Sequence, residues 1–146
     1  MKDGIPLRVK ASAAAANGSA WQGRMPVSGL KRLSAAVATA EGELEVALAA
    51  RRNANGASFL SGDIGGELRL ECQTCLQAFG WPLRIAVELR LVASEEEERE
   101  LLHEYEPYRL EGDSLPLHEL VEDEVLLALP IAPRCAACSA GPVGRA

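Results

Sequence analysis

The sequence predicts a single α+β domain built on an antiparallel β-sheet or partial barrel, with two to three helices. Three observations predict it. Four segments between residues 43 and 92 alternate apolar and polar side chains, which is the two-residue period of a half-buried strand. Segments 25–42 and 116–129 instead repeat their apolar residues at three and four, the period of a helix with one buried stripe. A length of 146 residues suits one hydrophobic core.

In chain order, residues 11–24 ("ASAAAANGSAWQGR") are rich in Ala, Gly and Ser and are expected to be loop. A helix is expected from about Val27, with Leu30, Leu33 and Val37 on one side, and Gly42 stops it. "ELEVALAARR" sets Leu44, Val46, Leu48 and Ala50 against Glu43, Glu45 and Arg51, a strand with one wet face. "NANG" is a turn signal. "ASFLSGDI" and "GGELRLEC" follow as strands, and "WPLRIAVELRLV" is the clearest of the four. Short links between such segments point to an antiparallel sheet. "SEEEERELL" opens with Ser94 and Glu97, the spacing of a capping box, and its acids suit the positive end of a helix. "EYEPYRLEGDSL" reads as extended and turn-like. "PLHELVEDEVLLAL" is a second helix, with Pro116 at its first position and Pro130 and Pro133 beyond its end. Residues 139–146 are expected to be a disordered tail.

Charge is unevenly divided. Residues 1–92 hold 11 Lys/Arg against 8 Asp/Glu, and residues 93–146 hold 4 against 13. This is not the strongly basic footprint of a free-standing nucleic-acid binder. No apolar run approaches the ~20 residues that span a bilayer, and the N-terminus lacks the apolar core of a signal peptide. A cytoplasmic protein is expected, with no membrane contact. In that compartment thiols stay reduced.

All four cysteines lie in two C-x-x-C pairs, Cys72/Cys75 and Cys135/Cys138, with 59 residues between them. Two such pairs are the ligand set of a closed structural Zn²⁺ site. The gap is longer than in zinc ribbons, but each doubling of a loop costs only about 0.6 kcal/mol in closure entropy. Convergence at one Zn²⁺ is therefore the leading expectation. Two alternatives stay open: reduced thiols without metal, and redox chemistry at Cys72/Cys75.

Glu124 falls inside the stripe formed by Leu117, Leu120, Val121, Leu127 and Ala128, so it is expected to be partly buried and to meet an Arg or backbone N–H groups. Arg69, Arg84 and Arg90 lie on the polar sides of their strands and are candidate RNA contacts. His103 and His118 stand apart from any nucleophile or triad pattern. There is no phosphate-binding glycine loop, dinucleotide fingerprint or nucleophile elbow. A non-enzyme with no small-molecule substrate is expected.

"LECQTCLQAF", "EYEP" and "LVEDEVLLALPIAP" followed by cysteine, together with "IPLRV" and "GLKRL", resemble the YceD family of large ribosomal RNA subunit accumulation proteins. The motif positions are Cys72, Cys75, Glu122, Asp123, Glu124, Pro130, Pro133 and Cys138. Cys135 stands where members often carry His, an exchange of one zinc ligand for another. The resemblance implies a ribosome-biogenesis factor supporting 23S rRNA synthesis, processing or accumulation. Its partners would be 23S rRNA or its precursors, met directly or through ribosomal and assembly proteins, with Glu122, Asp123 and Glu124 as partner-motif residues.

Overall fold

The computed structural model describes residues 4–100 and 106–139. The architecture is α+β. An open five-stranded sheet packs its inner face against the helices Ala11–Asn17, Lys31–Ala36 and Leu117–Ala128, and a two-stranded ribbon ties down the N-terminal segment. Strands β1 (Arg8–Lys10) and β7 (Ser114–Pro116) form the ribbon, with Val9 opposite Leu115. The main sheet runs β2 (Ala20–Pro26), β3 (Glu43–Arg52), β4 (Ser58–Glu71), β5 (Ala78–Val92) and β6 (Glu106–Arg109). Its first four strands are antiparallel neighbours, and only β6 joins parallel to its neighbour. Five helices are described: α1 (Ala11–Asn17), α2 (Lys31–Ala36), α3 (Glu95–Glu100), α4 (Leu117–Ala128) and α5 (Ala136–Ser139). That is more than the two to three expected, because α1 and the one-turn α5 carry no clear apolar period.

The inner face of the sheet is the core. Leu44, Val46 and Leu48 of β3 pack in one cluster with Leu60 and Ile64 of β4 and Val87 and Leu89 of β5. Leu33 of α2 and Leu117, Leu120, Val121 and Val125 of α4 close over them. The alternation read from β3 and β5 holds. The two segments expected before the cysteines are one continuous β4, which passes through Gly65 and Gly66 without breaking its pairing to β5.

Three expectations need correction. Residues 11–24 are not a loop. The alanine run forms α1, which buries Ala11, Ala14 and Ala15 and is closed by left-handed Gly18, whose N–H reaches the Ala14 and Ala15 carbonyls. The same segment then enters β2, where Trp21, Gly23 and Met25 face inward and Gln22 and Arg24 outward. The alanine run hid the first period, and Gly23 between Trp21 and Met25 interrupted the second. Second, the helix expected across 25–42 is a 3-10 turn at Val27–Gly29 followed by α2, which ends at Ala36; Val37 is extended. Third, the buried stripe of α4 centres on Val121 and Val125. Leu127 faces solvent, 76% exposed, and Glu122 rather than Glu124 lies against the core.

Half of the capping box at α3 is formed: Glu97 N–H donates to Ser94 Oγ (3.2 Å), while the Glu97 carboxylate accepts from Ala93 N–H (2.7 Å), one residue before Ser94. Pro116 stands one residue before α4 rather than at its first position, extended and with no side-chain cap bond, and the helix stops at Ala128, before Pro130. His103 and residues 140–146, most of the expected tail, lie outside the described residues. Ser139 belongs to α5. Among the described residues no helix is long and apolar enough to cross a membrane.

Candidate functional site

The four cysteines converge. β4 ends at Glu71, and the chain turns at once through Cys72–Gln77 before β5 begins at Ala78. Cys72 N–H donates to the Gln77 carbonyl, and Leu76 N–H donates to the Cys72 carbonyl. This tight closure forces Leu76 into the left-handed region at φ 64°, a conformation that a branched side chain adopts only at a cost. Thr74 and Cys75 aim their backbone N–H groups at Cys72 Sγ, at 3.4 and 3.5 Å. The second pair sits where the chain folds back after α4. Cys135 precedes α5 and its carbonyl accepts from the N–H groups of Cys138 and Ser139. One further bond joins the two turns, from Gln73 N–H to the Pro133 carbonyl at 2.8 Å.

All four sulfur atoms lie within 4.8 Å of one another. Cys75 and Cys135 Sγ are 3.8 Å apart. Disulfide sulfurs would be bonded at about 2.05 Å, and all four thiols are free. Tetrahedral Zn–S bonds of about 2.3 Å place sulfurs about 3.8 Å apart. Cys72 is buried, Cys135 and Cys138 are half-buried, and Cys75 is exposed. Backbone N–H groups, that of Cys75 first and then that of Cys135, draw the Cys72 thiol down to about 5. Cys138 is pushed up to about 12, first by its contact with Cys135 and then by Cys72. Cys75 is also raised: the Gln77 backbone N–H lowers it, but burial and Cys72 together outweigh that effect. One thiolate is thus easily held, and further ones repel it. A divalent cation supplies the charge that lets several ionise together.

The acidic motif of α4 divides its roles. Glu122 is the buried member, and its carboxylate accepts from Leu33 N–H at 2.9 Å and from Arg32 at 3.2 Å. Asp123 pairs with the same guanidinium at 2.7 Å, and together these partners raise the pKa of Arg32, the Asp123 hydrogen bond most of all. Leu33 is the third residue of α2, and the residue before that helix, Leu30, offers no side-chain cap. Glu122 therefore caps α2 from another helix, a role sequence spacing did not assign to it. The signal that was there is Val125, which recentres the stripe so that position 122 falls at its edge. Glu124 is half-buried as expected, but no Arg or N–H partner meets it among the described residues. Burial, and then repulsion by Glu106 and Asp123, raise its pKa.

The three arginines share the outer face of the sheet without converging. Arg84 lies opposite Gly65, Arg69 opposite Gly80, and Arg90 opposite Phe59. Six residues separate Arg84 from Arg90, about 20 Å along a strand. Arg90 donates to the Leu91 carbonyl and lies 5.9 Å from the Phe59 ring centre. By strand alternation the same face carries Glu43, Glu45, Asp63, Glu67 and Glu88, and Arg24 and Arg51 are paired within it. The face is mixed in sign. His118 Nε2 donates to the Ile5 carbonyl at 2.6 Å and anchors the N-terminal segment.

The fold and the thiol cluster define a small α+β protein whose last described segment meets the end of a sheet strand at four clustered cysteines. A family model described as large ribosomal RNA subunit accumulation protein YceD matches residues 60–145. This is more than half of the chain and includes every cysteine and the α4 acids, and the chain belongs to that family. No solved structure matches the chain.

Proposed function

We propose that this protein is a non-enzymatic ribosome-biogenesis factor of the cytoplasm that supports accumulation of 23S rRNA, and that one structural Zn²⁺ held by Cys72, Cys75, Cys135 and Cys138 staples its fold. The family match over residues 60–145 carries the ribosomal part. The sulfur geometry supports the metal: four thiols, mutual distances compatible with a tetrahedron, and N–H groups aimed at one sulfur. Such a site is closed, with no position left for a substrate or catalytic water. Arg69, Arg84 and Arg90 are the residues offered to an RNA backbone, spaced to follow a strand of phosphates rather than grip one. Glu122, Asp123 and Glu124 serve partner binding indirectly, since Glu122 is committed to α2. A thiol-disulfide role for Cys72/Cys75 draws on the lowered Cys72 pKa, but Cys72 is 0% exposed, and an external disulfide has no line of attack on it.

The test is sucrose-gradient sedimentation of the tagged protein, with depletion in parallel and quantification of 23S against 16S rRNA. Co-migration with large-subunit precursors and a selective fall in 23S are expected. A protein that stays at the top of the gradient while the 23S/16S ratio is unchanged refutes the ribosomal role. Elemental analysis of protein purified under reducing conditions tests the metal separately. About one zinc per chain is expected, and its loss in Cys138→Ser.

A further inference from the structure

At the open end of the core, beside the thiol cluster, lies a groove of about 520 Å³. Leu70 and Val37 line it, with Leu129, Pro130 and Ile131 on one wall and the end of α2 on the other. Ile131 is fully exposed at 103%, beside the half-buried Leu129 and Pro130. Apolar side chains left open together beside a concavity mark an interaction surface.

The electrostatics of the groove select the occupant. It is bounded by the C-terminal ends of α4 and α2, whose last carbonyls no N–H within the helix can reach. Helix C-termini carry partial negative charge. Neither helix has a basic residue in its last turn. Glu71 is the only charged residue lining the groove among the described residues. Arg134 follows Pro133 but is not among the lining residues. An apolar wall of Leu129, Pro130 and Ile131 facing a polar rim with negative ends fits the aliphatic stem and cationic head of Lys or Arg, and it repels phosphate. The outer wall is held in place by the Gln73–Pro133 hydrogen bond and by the cysteine clasp next to it.

We propose that this groove docks a Lys/Arg-rich, apolar-anchored segment of a protein partner, and that the four-cysteine clasp keeps the groove closed on its outer side. This rests on the ribosomal reading and deepens it, because it makes a basic protein, rather than RNA, the partner held at this end of the molecule. Zinc removal is then expected to weaken docking even though no ligand touches the metal.

The experiment uses the full-length, zinc-loaded protein and a fluorescein-labelled dodecapeptide of alternating Lys and Leu, followed by anisotropy. The comparison probe alternates Glu and Leu. Ala36→Lys/Glu71→Lys reverses the groove's charge at two exposed positions. Ala93→Lys/Glu96→Lys makes the same net change beside and on α3. The groove variant is expected to weaken Lys–Leu binding at least tenfold, and the control less than twofold. Chelated protein is expected to bind as weakly as the groove variant. Equal effects from the two double variants overturn the proposal, as does equal binding of the two peptides or undiminished binding after chelation. An Ile131-dependent dimer in sedimentation overturns it in favour of a second copy as occupant. In depleted cells, a folded groove variant that fails to restore 23S rRNA supports the proposal. Full restoration refutes the groove and leaves the family reading intact. If depletion never changes 23S rRNA, the ribosomal reading falls and the peptide measurements alone judge the groove.

Discussion

Glu122→Ala tests whether α4 caps α2 across the core. The Glu122 side chain is only 10% exposed, and its Oε2 accepts from buried Leu33 N–H at 2.9 Å. A hydrogen bond to a charged group contributes about 1.5–3 kcal/mol, and a buried N–H left without a partner costs about 1–3 kcal/mol. Ala gains a few tenths of a kcal/mol in helix propensity. The net loss is expected to be about 3 kcal/mol. At this chain length each kcal/mol shifts the melting temperature by roughly 3 °C, so a fall of about 9 °C follows. Glu122→Gln keeps one oxygen for Leu33 N–H and should lose about 1 kcal/mol. The assay is urea and thermal unfolding of the metal-loaded protein by circular dichroism, with Glu124→Ala as the comparison. If Glu122→Ala costs less than Glu124→Ala, or if Gln and Ala are equally damaging, the carboxylate is not a cap and the role assigned to it fails.

Other perturbations probe the clasp, the sheet and the acidic helix. Leu76→Gly should stabilise by about 1 kcal/mol in chemical denaturation, because Gly removes the left-handed strain and the Leu76 side chain is 64% exposed; a loss of stability would mean that Leu76 packs against something essential. A Cβ at position 62 would lie 2.0 Å from the Ala47 carbonyl oxygen, so Gly62→Ala should force β3 and β4 apart and cost about 3 kcal/mol; a neutral effect would contradict the close strand approach. Glu124 titrates above its ordinary value of 4.5 in the folded protein. Its protonated form is therefore the one folding favours, and stability it contributes below 4.5 is lost as pH rises through the raised value. Glu124→Gln should accordingly stabilise at neutral pH, with an advantage that vanishes in acid; a pH-independent difference in melting temperature would refute this.

Strands β3, β4 and β5 were legible because their chemistry is local. β3 and β5 alternate one apolar and one polar residue, and only one face of such a segment can be buried. The Ser94 half of the capping box and the span of α4 are local for the same reason. The pairing of Cys72/Cys75 with Cys135/Cys138 was legible as residue type and spacing, which is enough to suggest one ion but not to bring the turns together. That convergence comes from the way α4 returns its last segment to the end of β4, fixed by the bond from Gln73 to Pro133.

What the tertiary structure alone decided has a common physical cause: burial is a property of two surfaces, and sequence displays one. The alanines of α1 pack into the core as thin side chains, and Gly23 of β2 lets the Gly4 backbone pass close to the strand. Glu124 is half-buried as its position suggests, and Glu122 is buried more deeply because α2 presents an uncapped N–H at that place. The arginines were already polar-face residues in the sequence, but only the register of β3, β4 and β5 placed acids among them and made their face mixed in sign. The sequence by itself determined the strand periods, the ligand chemistry of the four thiols and the family resemblance. The packing of α4 against α2 and β4 determined which carboxylate is structural, where the thiols meet, and where an apolar groove is left open to a partner.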